Sequence, residues 1–174
     1  MWNGSRNPKK LPVEVTEKEF TNLLDYARQD HKFGMALAWC SGMRISEVTK
    51  TEPKDFDWEN NSIRINQGKG KKDRIVPIPK GFKQKDVERL LPFKFNNRSL
   101  QKVFQRCCEQ SGLKEQKPSV HFHSLRHGFA THCLRKGINL RSIQQMLGHT
   151  ELGTTSIYLQ LVPEESLNEY MEKF

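Results

Sequence analysis

The sequence predicts a mainly α domain with a small antiparallel β-sheet, an α+β fold. Three observations predict it. Apolar residues recur at helical spacing on both sides of the chain's middle, as in Phe20, Leu23, Leu24 and Ala27 and again in Leu100, Val103, Phe104 and Cys107. The middle itself switches to a period of two over 62–66 and 74–78. Between those runs lies the Gly-rich stretch Gln67-Gly68-Lys69-Gly70-Lys71-Lys72-Asp73, which suits a hairpin turn.

Each element can be justified in order. Residues 1–15 hold Pro8 and Pro12 with Arg6, Lys9 and Lys10, and read as an extended arm or linker. Thr16-Glu17-Lys18-Glu19 is a capping-box pattern, so a helix starts there. A second helix is expected over about 32–41, with Met35, Ala36, Ala38 and Trp39 inside it and Gly42 interrupting it. Ser46 reads as the N-cap of a short third helix that ends before Pro53. The hairpin follows, with Lys69, Lys71 and Lys72 at its tip and Arg74 just beyond. Residues 84–91 read as helical up to Pro92. Asn97 is expected to cap a helix over 98–111 that Gly112 stops. Further helices are expected over 124–136, stopped by Gly137, over 140–147, stopped by Gly148, and over 154–160 and 164–172. The whole reads as an arm (1–15), one folded body (16–162) and a C-terminal tail helix (163–174).

At 174 residues the chain can bury a substantial core. No run approaches the ~18 apolar residues that a membrane span needs. The first six residues carry no apolar core of a signal peptide, so a cytoplasmic location is expected. Lys and Arg number 29 against 20 acidic residues, a net charge of +9. That excess favours a polyanionic partner, though an ordinary basic protein would show the same count. Cys40, Cys107, Cys108 and Cys133 form no disulfide framework and read as reduced thiols.

The densest cluster of reactive groups is His123-Ser124-Leu125-Arg126-His127. On a helix, His123, Arg126 and His127 fall at i, i+3 and i+4 and share a face. An anion such as a phosphodiester would relieve their mutual repulsion; a solvated basic face is the plainer alternative. Downstream come Leu147-Gly148-His149 and then Tyr158, and upstream Gly42-Met43-Arg44-Ile45-Ser46-Glu47. Taken alone, Tyr158 reads as a core residue and Arg44 as a surface one. A zinc site from Cys107, Cys108, His121, His123, His127 and His132 is disfavoured, because no CxxC pair is present.

In order and spacing, these stretches together with Gly68-Lys69-Gly70 resemble the tyrosine recombinase (phage integrase) family, near its Xer-like members. The similarity runs over roughly residues 12–162. It implies a tyrosine recombinase catalytic-domain fold over 16–162 and strand exchange on double-stranded DNA through a 3′-phosphotyrosyl bond. On that resemblance the catalytic residues are Arg44, Lys69, His123, Arg126, His149 and Tyr158. Arg44 and Arg126 would clamp the phosphate, as a planar fork suits. His123 would exchange a proton with Tyr158, and His149 would contact the phosphate; Lys69 would protonate the leaving 5′-oxygen, the alternative being that all three tip lysines only contact the DNA backbone. Glu47 would support the site as an orienter of histidine. Lys71, Lys72 and Arg74 would contact DNA. No metal or other cofactor is implied. The resemblance also implies self-association, as a tetramer on DNA in the full-length family. Typical members carry a helical DNA-binding domain before the catalytic one, so the chain reads as one part of that clamp. The tail after Tyr158 would dock either on a neighbouring protomer or on its own domain. A binding or regulatory module derived from a recombinase is the alternative function.

Overall fold

A computed structural model describes residues 11–66 and 73–148. Lys69, Lys71, Lys72, His149 and Tyr158 lie outside the described residues, as do the helices expected over 154–160 and 164–172.

The chain opens with α1 (Glu17–Leu24), started by the expected capping box: Glu19 N–H donates to Thr16 Oγ1 and Thr16 N–H donates to the Glu19 carboxylate at 2.8 Å. Helix α2 (Gln29–Ser41) begins earlier than its apolar run suggests and ends at Gly42. It is the central helix, with Phe33, Met35, Leu37, Ala38 and Trp39 all buried, and a helix apolar on every side belongs inside. Next come the single turn α3 (Ile45–Val48), a 3₁₀ turn (Pro53–Asp55), and strands β1 (Phe56–Asp57), β2 (Ser62–Ile65) and β3 (Arg74–Pro77). The strands form one antiparallel sheet in the order β1-β2-β3, with Ile63 opposite Val76 and Ile65 opposite Arg74. Helices α4 (Gln84–Leu90), α5 (Asn97–Gln110), α6 (Leu113–Gln116), α7 (His123–Arg135) and α8 (Leu140–Leu147) complete the described part. The fold is mostly helical with a small antiparallel sheet, as the sequence predicts. The two-residue β1 and the single turn α6 are too short to leave a periodic signal.

Two helix starts differ from expectation. Asn96, not Asn97, caps α5, its Oδ1 accepting from Ser99 N–H at 2.9 Å. Ser46 does not cap α3. Arg44 holds that position, and the Glu47 carboxylate accepts its backbone N–H at 2.7 Å.

Two features position the site. Gly42 sits at φ 65°, where a Cβ would lie 2.6 Å from Phe129 and 2.8 Å from Leu147. Only glycine lets α2 turn there while α7 and α8 close over it. The second is the end of the expected arm. Val15 is fully buried. Its N–H donates to Ser124 O at 3.2 Å, and its carbonyl accepts Trp39 Nε1–H at 2.9 Å. Glu14 accepts both Arg135 Nη groups, at 2.6 and 3.2 Å, and the Thr131 hydroxyl. Residues 14 and 15 are therefore a strap bound across α7, not a free arm. Gly128 makes room for it, since a Cβ there would lie 2.2 Å from Val15 O.

Candidate active site

The site forms where the C-terminal ends of α2 and α8 meet the N-terminal half of α7. A helix C-terminus presents carbonyls without intrahelical partners and a partial negative charge. Arg126, on α7, answers two of them. Its Nη1 donates to Gly42 O at 2.5 Å and its Nη2 to Leu147 O at 2.6 Å. The residue is 1% exposed. A guanidinium can span two diverging acceptors because its N–H groups are fixed in a planar fork. The fold thus holds one full positive charge beneath the surface at the start of α7.

Arg44 arrives from the other side. Its side chain is about one-third exposed, and its Nη1 donates to Glu47 Oε1 at 3.0 Å. With Met43, Lys50, Arg64 and Asn66 it lines a cleft of roughly 360 Å³ between α3 and β2.

Glu47 is the hub of this arrangement. Both of its carboxylate oxygens accept Arg74, at 2.7 and 2.8 Å, while also holding the Arg44 side chain and backbone. Burial alone would raise its carboxyl pKa. The hydrogen bonds and charge of Arg74, joined by Arg44, outweigh burial and hold it at about 2. Among the described residues its hydrogen bonds go to Arg44 and Arg74, and it bears on His123 through its charge.

The expected DNA contact at Arg74 is corrected: its side chain is 6% exposed. Besides Glu47, it donates from Nε to Met146 O at 2.6 Å. Strand parity explains this. Along β3, Arg74 and Val76 face inward and Ile75 faces out, 64% exposed. The inward position opposite Ile65 carries a cation because Glu47 waits there.

His123 is the first residue of α7. Although the residue is exposed as a whole, protein packed around its ring desolvates it. The charges of Arg126 and Arg44 and the neighbouring His121 act in the same direction, pushing its pKa down to about 4. At neutral pH the imidazole is uncharged, ready to accept a proton or a hydrogen bond. His127, one turn on, stands edge-on to it with ring centroids 4.7 Å apart. His121 lies 6.3 Å from it.

Of the residues singled out from sequence, the fold assembles Arg44, Glu47, His123 and Arg126 within one network of charge. Lys69, Lys71 and Lys72 belong to the connection between β2 and β3, and His149 follows Gly148 in the chain. Among the described residues, no three His, Cys, Asp or Glu side chains are placed to share a metal ion. Sequence reasoning missed the Arg74–Glu47 pair and the strap. An arginine at an inward strand position was the one available signal for the pair.

Residues 14–165 match the phage integrase family. The chain belongs to that family. A tyrosine recombinase of Thermosipho africanus is 35% identical over 173 residues, covering 92% of this chain and 61% of that protein. The chain spans under two thirds of the length of this and two other curated tyrosine recombinases it matches. The catalytic domain of bacteriophage HP1 integrase shares the fold, with a TM-score of 0.70 at 24% identity, covering 93% of this chain and 94% of that one. XerH site-specific recombinase bound to its difH substrate, before cleavage, superposes with a TM-score of 0.70 at 28% identity over 94% of this chain and 54% of that one. The integrase-family match and the separately described geometry coincide: the segments carrying Arg44, His123 and Arg126 all fall inside the matched region.

Proposed function

We propose that the chain is the catalytic domain of a site-specific DNA recombinase. It breaks and rejoins strands of double-stranded DNA through Tyr158. The observation that carries this reading is that Arg44, a neutral His123 and the buried charge of Arg126 bear on one site, organised by helix ends and Glu47.

The chemistry follows from that electrostatics. The Tyr158 hydroxyl attacks the scissile phosphorus. His123, uncharged at pH 7, hydrogen-bonds the phenol and takes its proton. Negative charge grows on the non-bridging oxygens, where Arg44, Arg126 and His149 stabilise it. The bond to the 5′-oxygen breaks, and Lys69 protonates that oxygen as it leaves. The product is a 3′-phosphotyrosyl bond and a free 5′-hydroxyl. Attack by a 5′-hydroxyl on that bond reverses the steps and reseals the strand. Bond energy is held in the phosphotyrosyl link, so the scheme calls on no nucleotide or metal. Lys71 and Lys72 contact the backbone beside the scissile nucleotide. Arg126 acts from below as fixed positive charge, because its Nη groups also hold the helix ends. Integration and excision, or resolution of joined chromosomes, are the processes such chemistry serves. They require several copies on DNA, a tetramer, in the cytoplasm at the nucleoid.

A second reading, a recombinase-derived module that binds DNA or regulates without cutting, has one observation in its favour: both Arg126 Nη groups are taken by helix-end carbonyls. A trapping experiment separates the two. The chain is incubated with a randomised duplex library bearing 5′-bridging phosphorothiolates, whose thiolate leaves without a proton and does not reseal. Covalent adducts are then captured under denaturing conditions. The expected result is an adduct on the Tyr158 peptide that Tyr158→Phe abolishes. An adduct that persists in Tyr158→Phe refutes the nucleophile. DNA binding without any adduct favours the regulatory reading.

A further inference from the structure

Arg74 joins parts of the site that are far apart in sequence. It leaves β3 at the first residue after the lysine-bearing connection. Two of its N–H groups hold both oxygens of Glu47, 27 residues away, and a third holds Met146 O, 72 residues away. Met146 is in the last turn of α8, one residue before the carbonyl that Arg126 holds and three before His149. The same Glu47 carboxylate fixes the Arg44 guanidinium and the backbone N–H that starts α3.

We infer that Arg74 is a positioning residue of this site: it locks Glu47, and through Glu47 the pose of Arg44, while tying the strand behind the hairpin to the end of α8. The inference deepens the proposed phosphoryl transfer, and its cleavage readout rests on that reading.

The chemistry of the pair explains why it must be arginine. A carboxylate shared between two guanidiniums keeps each in one rotamer, and Arg44 at one-third exposure has little else to hold it. Arg74 is buried against Glu47, so the pair is poorly screened and its geometry is stiff. Three simultaneous bonds in two directions need the planar fork; an ammonium supplies the charge without that shape. Catalytic groups tolerate little displacement: a misplacement of ~1 Å lowers rates about 10²-fold.

Arg74→Lys and Arg74→Met in the full chain test this. The first readout needs no DNA. In the parent protein the Arg44 guanidinium is held by Glu47, so its Nη–H signals are expected to be resolved by NMR and Glu47 to titrate near 2. The charged and titratable groups that bear on Glu47 are Arg44 from its own element, Arg74 from β3 and His123 from α7, with Lys50, Glu52, Lys54, Asp55 and Arg64 lining the same cleft. Both variants are expected to lose the resolved Arg44 signals and to raise the Glu47 midpoint. The second readout is the rate of phosphotyrosyl adduct formation on a captured substrate, expected to fall about 10²-fold in both. DNA affinity stays within about threefold, since the phosphate-contacting cations remain. If Arg74→Met fails to fold, Arg74→Lys decides alone, because it keeps the charge. Unchanged Arg44 signals in Arg74→Lys, or an adduct rate equal to the parent's, would overturn the inference. If the parent forms no adduct at all, the proposed function fails and the Arg44 signals still decide the role of Arg74.

Discussion

Replacing Glu47 with glutamine keeps the shape of the hub and removes its charge. The magnitude follows from the geometry. The carboxyl ordinarily titrates at 4.5 and in the fold is held at about 2. That difference amounts to about 3 kcal/mol of stability at pH 7. The side chain is 9% exposed and faces Arg74 at 6%, so solvent screening removes little of it. Because the folded pKa lies below the unfolded one, the contribution is fully present above about pH 4.5. It falls to about 1 kcal/mol at pH 3 and vanishes below about pH 2. Urea unfolding of parent and Glu47→Gln at pH 7 and again at pH 2 to 3 measures it. The midpoint should drop with the slope unchanged, and the gap between the two proteins should close on acidification. A gap under about 0.5 kcal/mol at pH 7, the range of an exposed ion pair, would refute the hub. So would a gap that does not depend on pH.

Three further outcomes are expected. Gly42→Ala forces a Cβ toward Phe129 and Leu147 at a positive φ; it should lower stability by about 2 to 4 kcal/mol, read as a fall in Tm. Arg126→Lys gives up the fork that holds Gly42 O and Leu147 O, charged hydrogen bonds of about 1.5 to 3 kcal/mol each. Faster amide exchange at Gly148, whose N–H closes the last turn of α8, should report it. His123 should titrate by NMR near 4 in the free protein, and adduct formation should lose its acid limb there and not near 6.5. The unfolded chain takes up that proton first, so His123 subtracts stability as pH falls below about 6.5, and His123→Gln should remove that loss.

Much of this protein was readable along the chain, wherever the signal is local. Thr16 and Glu19 cap a helix by contacts three residues apart. Gly42, Gly112, Gly137 and Gly148 take positive φ at the expected stops. The alternation of 62–66 and 74–78 becomes a hairpin in register. The order of Arg44, Lys69, His123, Arg126, His149 and Tyr158 carried the family resemblance, because motif order survives without coordinates. What only the tertiary structure decided involves partners distant in sequence. Arg74 looked like one more cation beside three lysines. Burial parity and a carboxylate 27 residues away make it a buried clamp. Arg126 looked like a phosphate contact, and the fold also makes it the cap of two helix ends, 84 and 21 residues distant. Glu47 looked like a supporting carboxylate, and the fold shows that it serves two arginines. A charge pattern specifies how many ionic groups must be satisfied; which pairs form depends on which groups desolvation brings together, and that is settled only when the helices close.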